Sequence, residues 1–100
     1  MRRARFIAQA RHEFLAEVAY YAQAGPGLGR RFAEAVEDAV ARAAAFPRSG
    51  SPSIADLRRV SVKDFPFSVY YRPEGNGIVI FAVAHHARRP GYWHSRVDFP

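Results

Sequence analysis

The stretch Phe65-Pro66-Phe67-Ser68-Val69-Tyr70-Tyr71-Arg72-Pro73-Glu74-Gly75-Asn76-Gly77-Ile78-Val79-Ile80-Phe81-Ala82-Val83-Ala84-His85 decides the fold. Both of its halves are rich in β-branched and aromatic residues, which suit a pleated, half-buried surface. Between them, Pro73-Glu74-Gly75-Asn76-Gly77 has the composition of a hairpin turn, with glycine and asparagine expected to supply positive φ. Ile78–Ala84 is apolar throughout and is expected to be the central strand of a sheet. It is the longest apolar run in the chain and falls far short of the ~20 residues that span a bilayer.

Working back from this hairpin, Leu57–Val62 alternates with period two. Arg58, Val60 and Val62 fall on one face, and Leu57, Arg59 and Ser61 on the other. Pro47–Ser53 reads as loop. Before it, Leu28–Ala45 has helical spacing, with Phe32, Val36, Ala39, Val40 and Ala43 along one side and Arg31, Glu34, Asp38 and Arg42 along another. Phe46-Pro47 ends that helix, because the residue before proline is driven out of the helical region. An earlier helix is read from Glu13, where Phe14, Val18 and Tyr21 sit at i, i+4 and i+7 with Leu15 and Ala22 alongside. Gly25-Pro26-Gly27 breaks it. Arg5–Ala8 is read as a short first strand, and His86 to Arg96 as an irregular tail or a short extra strand. The expected fold is therefore α+β in the order β-α-α-β-β-β: a helical hairpin packed on a twisted, mainly antiparallel sheet, forming one domain over residues 1–100.

Composition narrows the function. A chain of 100 residues with 49% hydrophobic and 14% aromatic residues has enough apolar mass for one core and is outside the disordered class. It has no cysteine, which excludes a disulfide scaffold and a Cys-ligated zinc site. The net charge of +6 excludes an acidic calcium module and points to an anionic partner. Of the basic residues, Lys63 is the single lysine and all others are arginine, a bias that a GC-rich coding sequence explains. The basic start, Met1 to Ala8, is not followed by the apolar run of a signal peptide, so a soluble, cytoplasmic protein with no membrane partner is expected.

The residues that bear chemistry gather after the central strand. His85 to Arg96 brings together histidines, Arg88, Arg89, Arg96, Tyr92 and Trp93. Arginine holds phosphate, tyrosine or tryptophan stacks a base, and histidine exchanges a proton. These are the parts that RNA cleavage through the 2′-hydroxyl requires. The plainer alternative has Tyr92 and Trp93 closing the core, with the arginines solvated or paired to Asp98, Glu13 or Glu17. Arg58, Arg59 and Lys63 make a second basic group, which is also consistent with a solvated strand face. His85 and His86 are adjacent on a strand and point to opposite faces, so they do not chelate one metal together. No metal-ligand spacing and no phosphate-cradling or dinucleotide-binding glycine motif occurs, so neither a metal nor a cofactor is expected.

Taken in order, several pieces carry a family likeness: Glu13-Phe14-Leu15 with Ala19-Tyr20-Tyr21, Gly27-Leu28-Gly29-Arg30-Arg31-Phe32, Phe46-Pro47, Arg58-Arg59-Val60, Phe65 to Arg72, and Ala82 to Trp93. Across nearly its whole length the chain resembles the RelE/ParE superfamily, the toxins of bacterial type II toxin–antitoxin systems also called plasmid stabilisation proteins. It lies closer to the ParE-like side. The resemblance implies a growth-inhibiting toxin neutralised by a cognate antitoxin. It implies either binding to DNA gyrase or RelE-like cleavage of messenger RNA on the ribosome; a non-toxic domain that only binds its antitoxin is a further alternative. For a ribonuclease, the family pattern places catalysis on His86, Arg89 and Tyr92. Contacts to RNA or another target would fall to Arg58, Arg59, Lys63, Arg88, Trp93 and Arg96, and antitoxin contacts to Phe14, Val18, Tyr21 and Phe32. The ribonuclease members carry a lysine-rich strand, represented here by Lys63 alone, and that difference favours the gyrase alternative.

Overall fold

Glycine at the hairpin tip is where the chain's local chemistry is most exacting. In the computed structural model, which describes residues 3–88 and 92–97, Gly75 takes φ 58°. It is the first of two loop residues joining β4 (Phe67–Glu74) to β5 (Gly77–His85), where that dihedral matches the twist of the flanking strands. Asn76, expected to share the positive φ, does not. The turn is also tighter than the sequence suggests, because Pro73 and Glu74 continue β4 and pair with Ile78 and Gly77. Proline is tolerated there because β4 has by then run past the end of β3 and become an edge.

The remaining elements are β1 (Arg3–Phe6), α1 (Ala8–Ala24), α2 (Leu28–Ala45), β2 (Ser51–Pro52) and β3 (Arg58–Ser61), with 3-10 turns at Ile54–Asp56 and His94–Arg96. The sheet order is β1-β5-β4-β3-β2. β1 runs parallel to β5 and every other pair is antiparallel. The α+β class and element order are as read from the sequence, with β2 added inside the expected Pro47–Ser53 loop. Helix α1 starts at Ala8 rather than near Glu13. The only apolar side chains of its first turn are the small ones of Ala8 and Ala10, so no hydrophobic period shows there, although Ala10 is fully buried. Leu15 follows Phe14 by one residue and is rotated ~100° away from the packed stripe. It is 47% exposed, and Ala22 is exposed as well, so neither joins the core as expected.

Both helices cover one face of the sheet. Phe32, Val36, Ala39 and Ala43 of α2 pack on Val62, Phe67, Val69, Tyr71, Ile78, Ile80 and Val83. An aromatic cluster ties α1 to α2 and the sheet: the Phe32 ring centroid lies 5.0 Å from both Tyr21 and Phe67 and 5.1 Å from Phe65. Such pairs add about 0.5–1.5 kcal/mol each beyond the area they bury. On the opposite face, Leu57, Val79, Phe81, Ala82 and Ala84 form a smaller core with Trp93.

A bulge divides the two faces. Tyr70 pairs with Ala82 and Tyr71 with Ile80, leaving Phe81 as an extra residue in β5. Phe81 and Ala82 then both belong to the smaller core, while Ile78, Ile80 and Val83 belong to the helix-facing one. One inserted residue reverses the facing of everything after it, because side chains alternate with period two.

Candidate functional site

The helix-free face of the sheet is only partly covered. Residues 92–97 cross it as a strap and lay Trp93 against Tyr70, with ring centroids 4.5 Å apart. Beyond the strap, Ser61, Ser68 and Ala84 stand in one row across β3, β4 and β5. Their small side chains leave a depression. Arg59 and Tyr70 form the next row, and the result is a cleft of about 410 Å³ lined by Arg59, Ser61, Ser68, Tyr70, Ala84, His85, His86, Arg88, Tyr92 and Trp93. No carboxylate is among these lining residues.

His86 enters this cleft because of the bulge. Its Nε2 lies 2.9 Å from Ser68 Oγ, and Ser68 is buried and holds the imidazole in place. His85 points the other way and meets the Phe67 ring edge-on at 4.9 Å. The two adjacent histidines thus divide between faces as strand alternation requires. Arg88 lies with its guanidinium 4.1 Å from the Tyr92 ring centroid, a cation–π contact.

Behind the cleft wall, Glu13 of α1 gathers the strap. Its carboxylate accepts two hydrogen bonds from Arg96 at 3.0 Å, one from the Tyr92 hydroxyl at 2.5 Å and one from the Val83 N–H at 3.1 Å. Arg96 also donates to the Phe81 carbonyl at 3.1 Å. Glu13 and Arg96 therefore complete the edge of β5 beyond the last residue paired with β1. Burial, the hydrogen bond to Glu13 and the negative charge of Glu13 all push the Tyr92 phenol well above its ordinary pKa; Arg88 and Arg96 oppose the shift and are outweighed.

The structure sorts the sequence candidates into different places. It brings together His86, Tyr92, Arg59, Arg88 and Trp93. Trp93 is 3% exposed and packs into the smaller core, so its ring is closed to base stacking. Arg58, next to Arg59 in sequence, faces away and donates to the carbonyls of Arg48 and Gly50 at 3.0 and 2.8 Å. Lys63 lies near α2, beside Glu34, Asp38, Arg42 and Asp64. Arg96 is the partner of Glu13, one of the three carboxylates the plainer alternative named. Arg89 and Asp98 lie outside the described residues. Phe14, Val18 and Tyr21 are half-buried on α1, whereas Phe32 is 0% exposed and has no surface to offer an antitoxin. Sequence reasoning missed Ser61, Ser68 and Tyr70; their signal was strand alternation, which places them on the side shared with Arg59.

The molecule is thus a small mixed-sheet domain with a helical hairpin on one face and, on the other, a cleft whose described lining residues carry arginine, histidine and serine and no carboxylate. A family model for the ParE toxin of the type II toxin–antitoxin system parDE matches residues 4–90, and the chain belongs to that family. A solved chain of the chromosomal ParDE toxin–antitoxin system from P. aeruginosa is similar in fold, with a TM-score of 0.71 and 21% identity over 85% of this chain and 96% of that one. A comparison with curated proteins found no match. Among the described residues no helix is long and apolar enough to cross a membrane.

Proposed function

We propose that this toxin acts by binding DNA gyrase in the cytoplasm rather than by cutting RNA, and that a cognate antitoxin protein neutralises it. The observation that carries the reading is the state of Tyr92. RNA cleavage on the pattern of the ribonuclease members needs this phenol free to contact the reacting phosphate or pass a proton. Here its hydroxyl is given to Glu13, and its pKa is raised far from neutrality. Tyr92 works as a strut that fastens the strap. Lys63, the lone lysine, does not line the cleft that holds His86 and sits beside Glu34, Asp38 and Asp64. Binding a protein target makes no demand on either residue.

For the antitoxin, a groove of about 530 Å³ between β1 and the two helices offers the apolar side chains Phe6, Phe14, Leu15 and Val40. The positive charge of the chain supports an acidic segment as its occupant.

The test is a supercoiling assay in which purified gyrase is titrated with this protein. At micromolar toxin, supercoiling is expected to stop and a covalent gyrase–DNA complex to accumulate. Undiminished supercoiling with no covalent complex would overturn the reading.

A further inference from the structure

The outward face of α1 has no role in the function proposed above, and its composition is unlike that of its neighbour. Along α2, every exposed residue from Arg30 to Arg42 except Ala41 is charged, as befits a helix face in water. Along α1, the exposed positions from Leu15 to Ala24 carry leucine, tyrosine, glutamine and alanine, and no charge. Leu15 is 47% exposed and Tyr20 63%. The Tyr20 ring is held in place edge-on by Tyr21, 5.2 Å away. A contiguous apolar surface of this kind marks an interaction site. Along its middle, opposite the packed stripe of Phe14, Val18 and Tyr21, run His12, Ala16, Ala19 and Gln23. Their spacing of four, three and four residues is that of a helix lying lengthwise on another helix. Leu15 and Tyr20 flank this line on either side.

We infer that this face of α1 is a self-association surface, on which two copies of the chain pair helix against helix in antiparallel. The face is its own complement under a two-fold axis. In a pair centred between Glu17 and Val18, Ala16 of one copy meets Ala19 of the other, Leu15 meets Tyr20, and His12 meets Gln23. Each contact occurs twice, as an isologous interface requires. The central alanines let the two backbones approach closely, Leu15 and Tyr20 close the sides, and His12 and Gln23 exchange a hydrogen bond at the ends. Charge selects a second copy as the occupant. Each chain carries +6, and on this face two such chains meet without opposing arginines. An acidic segment gains nothing from a surface on which these six residues carry no positive charge. The contact is short. A helix of 17 residues spans about 25 Å and offers well under the roughly 800 Å² per partner of a stable complex. The dimer is therefore weak, with a Kd on the order of 10–100 µM. The inference does not depend on gyrase being the target.

Sedimentation equilibrium of the purified full chain, from about 1 µM to about 1 mM, measures the pairing. A monomer–dimer equilibrium is expected. It should tighten as salt rises, because salt screens the repulsion between two cationic copies. Ala16→Arg and Ala19→Glu are each expected to weaken it at least about tenfold, by placing an unpaired charge at the centre of the contact. Mixed in equal amounts, the two variants are expected to pair with each other, because the antiparallel register sets the new guanidinium of one against the new carboxylate of the other. Ala45→Glu, an exposed position at the end of α2, leaves the affinity unchanged. Both central positions are exposed, and thermal melts establish that the variants are folded. A chain that stays monomeric at millimolar concentration, a dimer that neither variant weakens, a dimer that loosens as salt rises, or folded variants that do not pair on mixing would each overturn the inference.

Discussion

Glu13→Ala removes the carboxylate that, among the described residues, holds the strap to the sheet. The Glu13 and Arg96 side chains are 17% and 15% exposed, so this ion pair lies mostly out of water. Deleting one partner of a buried pair costs about 3–5 kcal/mol, because the remaining charge is left uncompensated. Residual exposure, and the bond that Arg96 keeps to the Phe81 carbonyl, put the expected loss near the lower end, about 3 kcal/mol. The Tyr92 hydroxyl and the Val83 N–H lose their partner in the same step. A domain of this size has a total stability of about 5–15 kcal/mol, and each kcal/mol moves Tm by about 4–8 °C. Glu13→Ala should therefore lower Tm by at least about 12 °C. Glu13→Gln keeps the shape and one acceptor but not the charge, and should cost about half as much. Thermal melts are followed by circular dichroism, with Trp93 fluorescence reporting the strap directly, since that ring is buried under it. In Glu13→Ala the fluorescence transition should precede the loss of helix. A shift of less than about 4 °C, worth about 1 kcal/mol, with both signals still coincident, would refute the reasoning.

Two further outcomes follow from buried hydroxyls. The Tyr71 hydroxyl donates to the Pro47 carbonyl at 2.8 Å and accepts from the Gly50 N–H at 3.1 Å. Tyr71→Phe should cost about 1–3 kcal/mol by leaving that amide unpaired, and Gly50→Ala should destabilise comparably because its new methyl group overlaps the same hydroxyl; urea unfolding measures both. The folded state holds the Tyr92 proton more tightly than the unfolded state does. The corresponding stability is fully present below the ordinary tyrosine pKa of about 10 and is lost as pH rises above it. Denaturation midpoints taken from about pH 8 to about pH 11 should fall in the native chain and fall less in Tyr92→Phe.

The sequence by itself determined the frame. Period-two runs at Leu57–Val62 and Phe67–Arg72, helical spacing in Leu28–Ala45, and the glycines of the hairpin are local signals. They specified the α+β class and the order of elements because each arises from the geometry of a single segment. The charge excess and the cluster after Ala84 were equally plain. Local signals fell silent where side chains are small, as in the first turn of α1 and at Ser51–Pro52. The site needed more. Arg58, Arg59 and Lys63 read as one basic group, yet only Arg59 reaches the cleft. Arg58 turns to the opposite face by strand alternation, and Lys63 has left the strand. The bulge at Phe81 comes from pairing between β4 and β5. It exchanges the facing of residues 82–86 and so delivers His86, not His85, to Ser68. Glu13 lies seventy positions or more from the groups it binds, Val83, Tyr92 and Arg96. Register and long-range pairing exist only once strands and helices are packed, which is why the tertiary structure alone decided which cations meet and made Tyr92 a strut.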